Sequence, residues 1–236
     1  MCGRFVARYS PEVMRRLFPE LEGNPYATLK ERWNAAPTQS LGIIRPVAAA
    51  ANATTAPSDL SHPVPLELVE ATWGLIPSWS KEENPKPGPI NARCETVATN
   101  GLFRVPFRSR RCIVPASGFY EWQERMLAPK RPLYITRADD EPLLMAGLYE
   151  PHRGRDSFTI VTVAAGDSTR DIHDRTPAVL EPGDEARAWL NPATQPETLA
   201  GLFHPVRDGL LQWHPVSTRV NNPRNEGPEL IQRTEE

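Results

Sequence analysis

Cysteine stands second in this chain, in the opening MCGRF. A residue at that position is ordinarily frayed terminus without a role. Once the methionine before it is removed, however, Cys2 carries an α-amine and a thiol on adjacent carbons. Such a 1,2-aminothiol condenses with an aldehyde: the amine forms a Schiff base, and the thiol closes a five-membered ring onto the imine carbon. A lysine reaches only the first stage, and an internal cysteine lacks the amine. Ordinary pKa values of about 7.7–8.0 for an α-amine and about 8.5 for a thiol leave free amine at neutral pH. Placement, more than activation, is then what the rest of the chain has to provide.

Other stretches set reactive groups beside glycine, proline and aromatics: PINARCET (89–96), VPASGFYEW (114–122) and IHDRTP (172–177). In the first, Asn91 and Arg93 point the same way if the segment is a strand, so an amide and a fixed cation face one ligand; otherwise they are turn chemistry. In the second, Glu121 lies between Tyr120 and Trp122. A carboxyl held against aromatic walls favours its neutral, proton-donating form, whereas at a strand edge it faces water. In the third, His173 suits a proton shuttle near neutral pH, or else bonds to backbone in a polar loop. The run LFRVPFRSRRC carries Arg104, Arg108, Arg110 and Arg111 with interleaved phenylalanines. That composition suits a single-stranded nucleic-acid groove, or a solvated surface.

The elements that must position these groups are short. The 236 residues suffice for one large domain or two small ones, and 26 prolines break the chain into brief runs. Strands are predicted in GRFVARY, ATWGLIP (71–77), RCIVPA (111–116), RPLYITR (131–137), PLLMAGLYE (142–150) and SFTIVTVAA (157–165). Ser10 and Pro11 open a helix with Val13, Met14, Leu17 and Phe18 on one face. Two further helices are predicted, in GDEARAWLN, with Ala186, Trp189 and Leu190 inward, and in PETLAGLF. The fold class that follows is α+β, with a curved, barrel-like, antiparallel-rich sheet and a few short flanking helices.

Composition excludes several classes. No stretch of about 18 apolar residues is present, so no membrane span is expected, and no signal segment opens the chain; a cytoplasmic protein is expected, nucleoid-associated when bound to DNA. Three cysteines and five unclustered histidines predict neither a disulfide framework nor a metal site, and no cofactor is called for. The net charge of −2 argues against bulk nucleic-acid binding, but without residues 226–236 the balance is 26 basic to 25 acidic.

Taken in order, MCGRF, RWNAAPTQ, WGLIPSWSK, INARCET, RRCIVPASGFYEW, AGLYE, IHDRTPAVL and HPVSTRVNN resemble the motif series of the SRAP family, the SOS-response-associated peptidases, also described as sensors of abasic sites in DNA. The resemblance runs from residue 2 to about 223. It implies a single SRAP-like domain over 1–223, with 46–66 as a mobile loop insertion and 224–236 as a disordered acidic tail. It also implies a monomer whose partner is single-stranded DNA containing abasic sites. In that reading Cys2 forms a thiazolidine with the ring-opened lesion, Asn91 positions the amine, Glu121 protonates the sugar oxygen, and His173 assists proton transfer and reversal of the link. Arg93 and Arg175 match phosphate-binding arginines, and Trp73 and Trp122 aromatics that stack or wedge against flanking bases. Arg4, Asn34 and Pro37 fall in blocks lining the same groove. Cys94 and Thr176 depart from the family's usual residues without removing a proposed catalytic group. A weak strand-cleaving lyase activity is compatible with the Schiff base. Two other readings stand beside this one: an N-terminal-nucleophile hydrolase or autoproteolytic peptidase, and a non-catalytic single-strand binder.

Overall fold

A computed structural model describes residues 2–22, 30–47, 64–82, 85–86 and 88–235. The chain enters as strand β1 (Phe5–Ala7), buried throughout. Helix α1 (Pro11–Leu17) then begins where the Val13 N–H donates to Ser10 Oγ (3.2 Å) and proline takes the first helical position. Strands β2 (Arg32–Ala35), β3 (Ser40–Pro46) and β4 (Leu66–Trp73) follow. β3 and β4 pair antiparallel from Ser40↔Thr72 to Pro46↔Leu66, so Pro46 and Leu66 belong to strands rather than to the loop expected at 46–66. Residues 48–63 of that loop lie outside the described residues.

Next come β5 (Asn91–Arg93), helices α2 (Cys94–Val97) and α3 (Arg104–Ser109), and strands β6 (Arg111–Ala116), β7 (Gly118–Arg125), β8 (Ala128–Arg137), β9 (Leu143–His152) and β10 (Arg155–Ala164). Short strands β11 (Arg175–Pro177) and β12 (Val179–Leu180), helices α4 (Asp184–Leu190) and α5 (Pro196–Gly201), and strand β13 (Leu211–Pro215) complete the regular elements, with 3-10 turns at Thr218–Asn221 and Pro228–Ile231.

Strands β10, β4, β3, β6 and β9 close on themselves, because β9 pairs with β10 as well as with β6. The barrel is antiparallel except where β10 runs parallel to β4. The α+β, barrel-like class expected from the sequence is the one observed. β6 and β9 are buried along nearly their whole length because both faces are covered. Alternate residues divide by the two-residue period of a strand. Cys112, Val114, Met145, Phe158 and Ile160 join a core shared with the second sheet, while Ile113, Leu144, Ala146, Val161 and Val163 pack in the core that includes Met14, Phe107, Trp189 and Leu199 from the helices.

The second sheet runs β13-β8-β7-β1-β2. Phe5, Phe119, Leu133 and Ile135 turn to the shared core, and Val6, Tyr120 and Tyr134 to the opposite face. That opposite face corrects an expectation. Residues 224–235 are not a disordered tail: Val216, Val220 and Ile231 pack over it, Leu230 is fully buried, and Val216 bridges to Arg233. The acidic count misled because Glu226, though exposed, is tied down, accepting from the Trp33 N–H at 2.7 Å and pairing with Arg32 at 3.5 Å.

The arginine run is also not a groove. Phe103 and Phe107 face the helix-side core, and Arg111, buried, donates to the carbonyls of Phe107, Arg108, Trp189 and Asn191 at 2.6–2.8 Å. These carbonyls end α3 and α4, where helices leave acceptors without intrahelical partners. Arg110 pairs with the buried Glu150 at 2.7 Å, leaving only Arg104 and Arg108 exposed.

Candidate active site

The pairing of β1 with β7 (Phe5↔Phe119, Val6↔Gly118) continues beyond β1, since the Tyr120 N–H donates to Arg4 O at 2.9 Å. That register carries the N-terminal residues alongside Glu121. Cys2 is fully buried. Burial, and after it the charge of Glu121, push its thiol far above the ordinary range, so it stays protonated at neutral pH. Glu121 itself is 4% exposed, which removes the water-facing alternative. Its aromatic sequence neighbours are nevertheless not its walls: Tyr120 and Trp122 turn to the opposite face of β7, as alternation requires.

Asn91 reaches Cys2 from the other sheet. β5 runs parallel to β10, with Asn91 opposite Ile160, and the Asn91 side-chain N–H donates to Cys2 O at 2.9 Å. The other end of the amide, Oδ1, is buried and has no hydrogen-bond partner among the described residues. Cys2, Asn91 and Glu121 thus meet at the seam between the two sheets.

His173 ends the turn Thr169–His173, whose Ile172 packs into the core that contains Cys2, and the Gln123 side-chain N–H on β7 donates to Asp171 O at 3.3 Å. Its Nδ1 faces two groups with opposite requirements. Unprotonated, it accepts from the Arg175 N–H (3.0 Å); protonated, it donates to Asp174 Oδ1 (2.7 Å). The imidazole therefore has a resting partner in each state.

The expected DNA contacts separate into two groups. Arg93, exposed, is on the same strand as Asn91, and Arg4, Trp122 and Pro37 are partly exposed. Trp73 is not available to a base: it is 0% exposed, donates from Nε1 to Ile90 O at 2.9 Å, and stacks on Phe158. Asn34 is likewise fully buried, its amide spent on Arg4 and on carbonyls of residues 220–225. Arg175 is 7% exposed and holds Glu95 through both nitrogens of its fork (2.5 and 2.9 Å) while donating to Thr162 O at 2.6 Å. It ties α2 to β10 and β11. The hydrogen bond from Arg175 holds the Glu95 carboxyl down to about 2.

Glu95 escaped the sequence reading although it stands in INARCET; its partner lies 80 positions away, so no local spacing reveals the pair. Among the described residues no group of three or more His, Cys, Asp and Glu side chains is placed to hold a metal ion, and no helix is long and apolar enough to cross a membrane.

The family model for "SOS response associated peptidase (SRAP)" matches residues 1–223. A Bacillus subtilis protein named Abasic site processing protein YoqW is 34% identical, the match covering 98% of this chain and 99% of the relative. Abasic site processing protein HMCES of Xenopus tropicalis is 33% identical over 98% of this chain and 78% of its own. A crystal structure of a Bacteroides thetaiotaomicron protein shares the fold with a TM-score of 0.77 at 24% identity, covering 98% of this chain and 100% of that one.

Proposed function

Because the chain belongs to the SRAP family, we propose that it processes abasic sites in single-stranded DNA by linking itself to them through Cys2. The observation that carries this reading is the Asn91 amide, fixed to Cys2 O by one end and presenting with the other a buried oxygen that has no hydrogen-bond partner among the described residues. With Met1 removed, that oxygen is an acceptor for the Cys2 α-amine, and it aims the nitrogen lone pair at an incoming carbon. The names of the relatives supply the substrate class.

In the step proposed, Glu121 gives a proton to the ring oxygen of the deoxyribose as the C1′–O bond opens, and the carboxylate so formed takes up the proton that the C1′ hydroxyl loses on becoming the aldehyde. The amine nitrogen bonds to C1′ and water leaves, giving the Schiff base. The thiol sulfur then bonds to C1′ while its proton passes to the nitrogen, closing the thiazolidine. His173, with a partner in either protonation state, returns protons when the ring reopens. A thiol that burial keeps neutral is a poor first nucleophile, which favours attack by the amine and weighs against the hydrolase reading. Thiazolidine closure suppresses the β-elimination open to the Schiff base, leaving strand cleavage a side activity.

The test is a single-stranded oligonucleotide with one abasic site, mixed with the protein and run on a denaturing gel with intact-mass readout. The parent is expected to give a band at protein plus DNA. Cys2→Ala, which keeps the amine, loses the heat-stable band yet gives a borohydride-trapped one. A heat-stable adduct from Cys2→Ala would falsify the thiazolidine step.

A further inference from the structure

The block HPVSTRVNN (214–222) contains none of the groups used above, yet its backbone and side chains converge on two residues of the DNA-facing set. The Arg4 Nη1–H donates to Val220 O and to Asn34 Oδ1, both at 2.8 Å. The Asn34 NH₂ donates in turn to Val220 O (3.2 Å), Asn222 O (3.0 Å) and Asn225 O (3.1 Å), so one buried amide pins the whole segment. Asn221 Oδ1 accepts from the Trp122 Nε1–H at 2.7 Å, and the Arg4 guanidinium lies 5.8 Å from the centre of the Trp122 ring. The segment is itself fixed: Ser217 caps the 3-10 turn, His214 contacts Ile231 O at 2.8 Å, and Val220 is fully buried.

We propose that residues 216–225 are a positioning clamp for the DNA-facing surface, in which Asn221 sets the Trp122 indole and Val220 with Asn34 sets Arg4. The inference rests on the reading of this surface as DNA-binding. With Nη1 engaged inward and Nε buried, the guanidinium of Arg4 is held in one orientation beside the Trp122 ring, and only its remaining, partly exposed edge is left for a phosphate oxygen. The indole, tied at its N–H, meets a base without first being ordered. Immobilising one such side chain takes about 0.5–1.5 kcal/mol on binding, so the clamp is worth about two- to tenfold in affinity. Asn221 touches neither strand nor lesion; it acts through Trp122 and is a positioning residue.

The test reads adduct formation against the concentration of an abasic single strand for the parent, N221A, W122F and N221A/W122F, with thermal midpoints alongside. N221A is expected to raise the half-saturating DNA concentration about two- to tenfold while the limiting rate moves less. W122F keeps an aromatic face but lacks the N–H, so adding N221A to it changes nothing further. An N221A protein that saturates like the parent overturns the clamp. So does a loss of equal size in the W122F background, which puts the effect of Asn221 elsewhere. A parent that binds the strand without forming an adduct refutes the crosslinking reading, and the clamp then stands or falls on the same comparison of binding. A parent that binds no strand refutes both.

Discussion

At the scale of single residues, chemical type was legible in the sequence and orientation was not. Cys2, Asn91 and Glu121 were each singled out by what they can do, and the seam between the sheets brings them together. Which side of a strand a residue takes depends on register, and register is set by partners distant in sequence. Glu121 and Trp122 are neighbours in the chain and face opposite ways. Trp73 shows the same gap: in WGLIP it reads as an aromatic for a base, whereas it is packed between Phe5 and Phe158. A prediction follows from that placement. Trp73→Phe removes the hydrogen bond to Ile90 O and part of the packing, at about 2 kcal/mol, so the denaturant midpoint falls. The concentration of abasic strand that half-saturates the protein stays within about twofold of the parent, on the view that a buried ring contributes to stability and not to binding. A base-stacking role predicts the reverse pattern.

At the scale of elements, six of the thirteen strands and three of the five α-helices among the described residues were readable, where local signals agreed with the fold. Ser10 and Pro11 started α1, RCIVPA became β6 residue for residue, and Ala186, Trp189 and Leu190 turned inward on α4 as expected. Helix α3 was missed, since its arginines look like surface until Phe103 and Phe107 are seen to share the buried side. The pairing of Glu95 with Arg175, which joins α2 to β11, was also beyond local reading, and it has a measurable pH signature. The Glu95 carboxyl is held from its ordinary 4.5 down to about 2, first by the hydrogen bond from Arg175. A depressed carboxyl stabilises the fold above its unfolded value and loses that contribution as pH falls through the folded one. The thermal midpoint of Glu95→Gln is therefore expected below that of the parent at pH 6, with the gap closing between about pH 4.5 and pH 2. Half of the Glu95 side chain is exposed, so solvent screens the pair and the gap is small. A gap that persisted at pH 2 would assign the effect to packing rather than to charge.

At the scale of the whole molecule, the closed barrel and the second sheet share one core, and each has a second face that something else must cover. Helices cover the barrel, and residues 216–235 cover the sheet. Composition alone could not show this, because a segment with few apolar residues still folds when Val216, Val220 and Ile231 meet one patch and Leu230 is fully buried. Deleting 216–236 is expected to uncover Val6, Tyr120 and Tyr134, raising the binding of a dye specific for exposed apolar surface and lowering the thermal midpoint. An unchanged midpoint would restore the picture of an independent tail.

The bond between Arg4 and Val220 joins residues 216 positions apart, and that separation is also an interval of time. A chain made from its N-terminus at about 5–20 residues per second releases Cys2 roughly 10–40 s before the residues that lock its strand in place. Until then β1 has no clamp, and the Met1–Cys2 bond lies open to a processing enzyme. Afterwards the Cys2 side chain is buried at the seam between the two sheets. On the proposed reading, removal of the methionine is easiest during synthesis, and a chain that leaves the ribosome with its methionine still attached has missed that period.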